Sequence, residues 1–273
     1  MKKILLLVLA VVIVGATPAY GWSRIGHATI AKIAEDYLTP KAKKQIDKYL
    51  NGKSIIYYAT YPDDYREVHL IDIGFDATNC PRKTVWGHTF QAKADGSLYL
   101  SERRGNEYVK NCLLRIDPVI KEFKKNHRNM TDSARVVSLA YIVHIVGDIH
   151  CPKHIRYEDE PTAGGYNVIY RGNAVKYHSY WDGVVVLKGR HDWGYSDIAN
   201  LVDVASKKER KELSKGNIFD WAAENARNSR FTVERREGCE VSYLTANEDT
   251  KYAEQQVAKA GYRLAALLND IFK

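Results

Sequence analysis

Residues 136–154 read VVSLAYIVHIVGDIHCPKH, and the fold turns on how this stretch is understood. Thr131 or Ser133 can cap a helix start ahead of it. Cys151-Pro152 should break the helix, because proline lacks an amide donor and disfavours helix at the residue before it. Val136, Val137, Leu139, Ala140, Ile142, Val143, Ile145, Val146 and Ile149 leave no polar stripe, so the helix belongs in the interior. His144 and Asp148 nevertheless sit inside the apolar run, four residues apart and therefore on one face. A lone buried carboxylate costs several kcal/mol unless something pairs with it. A divalent cation would offset that cost, and His154 just past the break offers a further nitrogen. Taken alone, the pair is more readily a neutral core histidine beside a locally satisfied aspartate, so the rest of the chain has to discriminate.

Downstream, residues 155–175 read as a loop or small hairpin, with Gly164-Gly165 and Gly172-Asn173 as turn signals. Tyr177 to Leu187 reads as a helix that repeats the spacing as His178-x3-Asp182, and Ile218 to Arg230 and Asp249 to Phe272 are amphipathic. Upstream, Glu107 to Lys125 reads as a helix, and residues 67–100 are irregular. Trp22 to Leu38 becomes helical, and Thr39-Pro40 opens a further helix that ends at Asn51-Gly52. Helix dominates, the class is all-α, and no linker, repeat or low-complexity tract divides the chain.

Residues 1–21 combine Lys2 and Lys3 with the apolar run Ile4 to Val14 and the small-residue end Ala19-Tyr20-Gly21. That is a signal peptide, too short to span a bilayer, so the exported chain starts at Trp22. Residues 22–273 then form one mostly helical domain. Removing Lys2 and Lys3 takes the formal charge from +8 to +6, which suits a phosphate-bearing partner. Cys80, Cys112, Cys151 and Cys239 in an oxidising compartment suggest up to two disulfides of undetermined pairing. No C-x-x-C occurs, so a metal is expected on His, Asp and Glu. Of the other histidines, His150 suits a supporting or helix-end hydrogen bond, while His127 and His191 sit among charged residues and read as solvated.

Trp22-Ser-Arg-Ile-Gly-His27, Asp63-Asp-Tyr-Arg66, His144-x3-Asp148-x-His150-x3-His154 and His178-x3-Asp182 together resemble the S1/P1 nuclease family, over nearly the whole chain from Trp22. The resemblance implies a mostly helical phospholipase C/P1 nuclease fold and three zinc ions. Asp63, His88, His144 and Asp148 would hold one ion, and His154, His178 and Asp182 a second, more open one. The Trp22 amine and carbonyl with His27 and Asp148 would hold the third. Asp64 is the alternative to Asp63, whose spacing to Arg66 favours it; His69 is the alternative to His88, which the Trp86-x-His88 setting favours.

The implied activity is hydrolysis of single-stranded DNA or RNA and of 3′-nucleotides to 5′-phosphate products, by a zinc-activated hydroxide. Asp63 would orient the nucleophile and Arg66 stabilise charge on the phosphoryl oxygens. Thr89 stands where the family tends to place a base-stacking aromatic, leaving Phe90, Tyr61 or Tyr166 for that task. The chain is expected as a periplasmic or extracellular monomer without stable membrane association. A zinc phospholipase C is the alternative; its longer Trp-to-His gap and its Glu at the position of Asp182 count against it. A non-catalytic zinc- or nucleotide-binding protein is the second alternative.

Overall fold

The structure, a computed structural model, describes residues 22–64, 88–160 and 165–273. The expected signal peptide, Arg66, His69, Cys80 and Trp86 lie outside the described residues. Helix dominates, as the sequence predicts, and among the described residues no helix is long and apolar enough to cross a membrane.

The first half of the described chain contains α1 (Arg24–Asp36), α2 (Pro40–Tyr49), the single turn α3 (Tyr61–Asp64), strands β1 (Phe90–Ala92), β2 (Arg103–Arg104) and β3 (Glu107–Tyr108), then α4 (Leu113–Asn126) and α5 (Asp132–Asp148). β4 (Ile155–Tyr157), β5 (Asn167–Tyr170) and β6 (Asn173–Lys176) lead into α6 (Tyr177–Ser179), a π-type turn at Tyr180–Val184, and α7 (Val185–Leu187). The chain then forms α8 (Tyr195–Val202), α9 (Lys207–Leu213), α10 (Ile218–Asn228), β7 (Glu240–Val241) and the long α11 (Tyr243–Ile271).

The apolar stretch forms α5, and α1, α2, α3, α4 and α11 all pack against it. Thr131 caps it, accepting from Ala134 N at 3.2 Å. The helix stops at Asp148 rather than at Cys151. Cys151 takes the extended backbone that a following proline requires (ψ 125°), and Pro152–His154 make a separate 3-10 turn. That reversal carries His154 back over the helix end.

α1, capped by Ser23, packs chiefly on α11. The two backbones approach so closely at Gly261 that a Cβ there would sit 2.6 Å from Ile33 Cβ. β1 pairs in parallel with β4, Phe90 opposite Ile155. Each strand begins just after a histidine region, so this pairing brings His88 and His154 to one edge, and His154 Nδ1 donates to His88 O at 2.5 Å. The expected hairpin is β5–β6, turning on Arg171 (φ 53°) and Gly172 (φ 75°), with β7 added in parallel.

The helix expected from Glu107 starts only at Leu113. Glu107 and Tyr108 pair with Arg104 and Arg103 instead, and the Asn111 side chain accepts from Leu113 N, initiating the helix there. α11 begins six residues before the expected Asp249, where Ser242 accepts from Thr245 N. His127 is not solvated. It is buried among Phe123, Tyr49 and Phe272, with its Nδ1 2.6 Å from Tyr49 Oη.

Candidate metal centre

α5 carries His144 and, as its last residue, Asp148, both fully buried. A carboxylate at a helix C-terminus faces the negative end of the helix dipole, so Asp148 needs positive charge from elsewhere. Four imidazoles surround it. His88 Nδ1 and His144 Nε2 lie 2.9 and 3.1 Å from Oδ2, while His27 Nε2 and His154 Nδ1 lie 3.3 and 3.6 Å from Oδ1. Asp63, on α3, brings Oδ1 to 3.5 Å from His144 Nε2 and 3.8 Å from His88 Nδ1. On the other side, His178 Nε2 is 3.0 Å from Asp182 Oδ2, and His154 Nε2 is 3.9 Å from Asp182 Oδ1. The π-type turn that holds Asp182 is a helix irregularity often found at functional sites.

His27 enters from α1 with its ring stacked on His144, centroids 4.1 Å apart. Gly147 makes room for it: a Cβ there would lie 2.9 Å from His27 Nδ1. Trp22 is fully buried and donates its Nε1 to Gly147 O at 3.0 Å, while Ser23 N donates to Asp182 O at 2.5 Å. The residues ahead of α1 are thus clamped between α5 and the π-type turn.

His144 Nδ1 donates to Ala59 O at 2.8 Å, and His154 Nδ1 to His88 O. Each turns its Nε2 toward the centre, the arrangement by which backbone carbonyls orient metal-ligating histidines. His27 Nε2, Asp63 Oδ1, Asp148 Oδ1, His154 Nε2 and Asp182 Oδ2 are buried atoms without a hydrogen-bond partner. Orphaned acceptors converging in this way are costly by themselves and fit cations. Three groups have ligand atoms within 4.8 Å of one another: His27, Asp63 and His144; His88, His144 and Asp148; and Cys151, His154 and Asp182.

The protonation states are pulled apart. Burial would lower His144, but Asp148 and Asp63 beside it hold it up at about 9. Burial would raise Asp148, yet the charges of His144 and His154 hold it well below the usual carboxylate range. Burial lowers His27, and it takes His154 down to about 4 against the pull of Asp148. Burial, reinforced by the charges of Arg156 and Lys153, takes His178 to about 3, and burial pushes Asp182 well above its ordinary value. Neutral imidazoles are what a metal ion requires; His27, His154 and His178 are pulled that way, while His144 would give up its proton on binding.

Each of His27, Asp63, His88, His144, Asp148, His154, His178 and Asp182 therefore lies at this centre, with Trp22 beside it. Arg66 lies outside the described residues. Two of the expected base-stacking aromatics need correction. Phe90 is fully buried in β1. Tyr166 is buried against Tyr177, with its hydroxyl donating to Arg235 O at 2.8 Å. Neither presents a ring face to a base, whereas Tyr61 is partly exposed.

The expected disulfides also fail for the described cysteines. Cys112, Cys151 and Cys239 are free, the first two fully buried in separate surroundings. Cys151 points instead at Asp182, its Sγ 3.5 Å from Oδ1. No C-x-x-C marks it in the sequence; the Cys151-x2-His154 spacing across the proline turn is the available signal. His150 makes the helix-end hydrogen bond expected of it, Nδ1 to Val146 O at 2.7 Å, and its Nε2 accepts from Arg263 Nη1 at 2.9 Å.

The sequence can be set beside those of known proteins. The profile of the family described as S1/P1 Nuclease matches residues 22–273. Endonuclease 2 of Arabidopsis thaliana is 22% identical over 288 aligned positions, covering 98% of this chain and 97% of that protein. Nuclease S1 of Aspergillus oryzae is 25% identical over 283 positions, covering 92% and 91%, and Nuclease P1 of Penicillium citrinum is 25% identical over 289, covering 92% and 97%.

Proposed function

The chain belongs to the S1/P1 nuclease family, and from that membership we propose that it hydrolyses single-stranded nucleic acid and 3′-nucleotides to 5′-phosphate products with three zinc ions. The observation that carries this reading is the convergence of buried, unpartnered ligand atoms from His27, Asp63, Asp148, His154 and Asp182 on one centre. An all-imidazole and carboxylate set suits zinc, and clustered divalent ions suit phosphoester hydrolysis.

Asp63, His88, His144 and Asp148 would hold one ion, and His154, His178 and Asp182 another. His27 and Asp148 would hold the third with the Trp22 amine and carbonyl. Asp148 is suited to bridging, because its Oδ2 faces His88 and His144 while its Oδ1 faces His27 and His154. When bound, the ions supply Lewis-acid activation of water near neutral pH and neutralise charge developing at phosphorus.

The chain's own groups do the rest. Asp63 accepts a hydrogen bond from the attacking water and aligns it with phosphorus. Arg66 offers guanidinium donors to the phosphoryl oxygens. Tyr61 supplies the partly exposed ring on which a base can stack. Residues 1–21 act as a leader for export, and their removal frees the Trp22 amine for ligation. Ser23 N bound to Asp182 O and Trp22 Nε1 bound to Gly147 O support this, since they hold that end against the centre.

The test is cleavage of a single-stranded oligonucleotide and of a 3′-nucleotide by zinc-loaded protein beginning at Trp22, with phosphatidylcholine alongside. Cleavage abolished by a chelator, without lipid turnover, is expected. Lipid turnover alone, or no phosphoester cleavage by protein holding its zinc, overturns the reading.

A further inference from the structure

We propose that Cys151 is a metal ligand, adding a thiolate to the ion held by His154, His178 and Asp182. The proposal rests on the metal-centre reading above and goes beyond it, since that reading has no sulfur. Cys151 is fully buried, immediately before the 3-10 turn that ends in His154, and its Sγ lies 3.5 Å from Asp182 Oδ1. An ion with bonds of about 2.3 Å to sulfur and about 2.0 Å to oxygen at a tetrahedral angle sets those two atoms about 3.5 Å apart. Cys151, His154 and Asp182 have ligand atoms within 4.8 Å of one another.

Two further buried atoms of this group make no hydrogen bond, His154 Nε2 and Asp182 Oδ2, on residues 1% and 3% exposed, the second of them 3.0 Å from His178 Nε2. On binding, the S–H bond breaks, the proton leaves to solvent, and a sulfur lone pair forms the bond to the metal.

The consequence is chemical. Two imidazoles, one carboxylate and one thiolate make a four-coordinate set, softer and more closed than the three-ligand set that leaves a position for water. This ion should be the last to be chelated away and should favour cadmium over harder ions such as manganese.

The measurement is the electronic spectrum of cobalt-substituted full-length mature protein, with cobalt content determined on the same sample. A near-ultraviolet sulfur-to-cobalt charge-transfer band is expected in the wild type. It should vanish in Cys151→Ser at unchanged far-ultraviolet dichroism, with cadmium affinity falling about tenfold or more. A variant with Cys80, Cys112 and Cys239 replaced by Ser should keep the band, which tests the assignment even if Cys151→Ser does not fold. Bound cobalt without the band in the wild type overturns the proposal and leaves Cys151 a hydrogen-bond donor to Asp182. A band that persists in folded Cys151→Ser overturns it too. Absence of bound cobalt defeats the underlying metal-centre reading, and with it this one.

Discussion

Gly147→Ala should favour an ordinary helix by up to about 1 kcal/mol, less here because Gly147 is the last residue but one of α5. Here it should instead cost the protein a metal ion. The new Cβ would lie 2.9 Å from His27 Nδ1, 3.1 Å from Cε1 and 3.4 Å from Ile30 Cδ1. Ordinary contact begins about 0.5 Å further out, so the His27 ring has to move, while ligand positions tolerate only about 0.2 Å. His27 is also stacked on His144 at 4.1 Å, which blocks retreat along that direction. Overpacking costs about 1–3 kcal/mol, so metal-free stability should change little or fall modestly once the propensity gain is subtracted. Affinity for the ion at His27 should fall about 10–100-fold, by analogy with disturbed supporting groups. The assay is metal content after equilibration with graded chelator, alongside thermal melting of the metal-free form. If Gly147→Ala keeps every ion at wild-type affinity and cleaves at the wild-type rate, the close approach of His27 to α5 is not what positions this ligand.

Other perturbations separate the contributions of packing, charge and metal. Gly261→Ala, whose Cβ would meet Ile33 at 2.6 Å, should lower stability by about 1–3 kcal/mol without changing metal stoichiometry in dialysed protein. Asp148→Asn should remove more than one ion per chain, and loss of a single ion by elemental analysis would deny it a bridging role. Removing metal from the holoprotein should lower its melting temperature, each ion contributing about 2.7 kcal/mol at a free concentration of 100 times Kd.

His150 is held neutral, its value lowered to about 3 by burial and then by Arg263. In the unfolded chain it takes its proton near 6.5, so its contribution is intact above that pH and is lost as pH falls toward 3. His150→Gln should therefore be less stable than wild type at pH 7, by denaturant melts. The gap should narrow by about 1 kcal/mol per pH unit between pH 6 and 4, and a constant gap would refute the assignment.

The helices that the sequence shows plainly are those with an apolar period and an end signal. α5 with Thr131, α2 between Thr39-Pro40 and Asn51-Gly52, and the Tyr177 to Leu187 helix all fall where local chemistry puts them. α9 is polar throughout and buries no residue, so it offers no apolar period to detect even though Ser206-x-x-Glu209 is a complete capping box; α8 buries Ile198, Ala199 and Val202 but spans only eight residues. The His-x3-Asp pairs were legible because i and i+4 share a face. The meeting of His88 with His154 was not, since it depends on a parallel pairing between strands some sixty residues apart. Cys151 escaped for the same reason: Asp182 comes to it from a distant segment. Phe90 misled because aromatic character says nothing of which way a strand residue faces; all three residues of β1 are buried.

Because α1 rests chiefly on α11, the first described helix is braced by the last, across roughly two hundred residues of chain. Contacts of such separation form late. A chain still emerging from the ribosome or a translocation pore would already contain His144 and Asp148 but would lack the α11 surface on which α1, and with it His27, chiefly rests. Clipping within α11, far along the chain from any of the ligands, should silence the chemistry as thoroughly as removing a ligand. On that topology a finished centre should be withheld until α11 has been made.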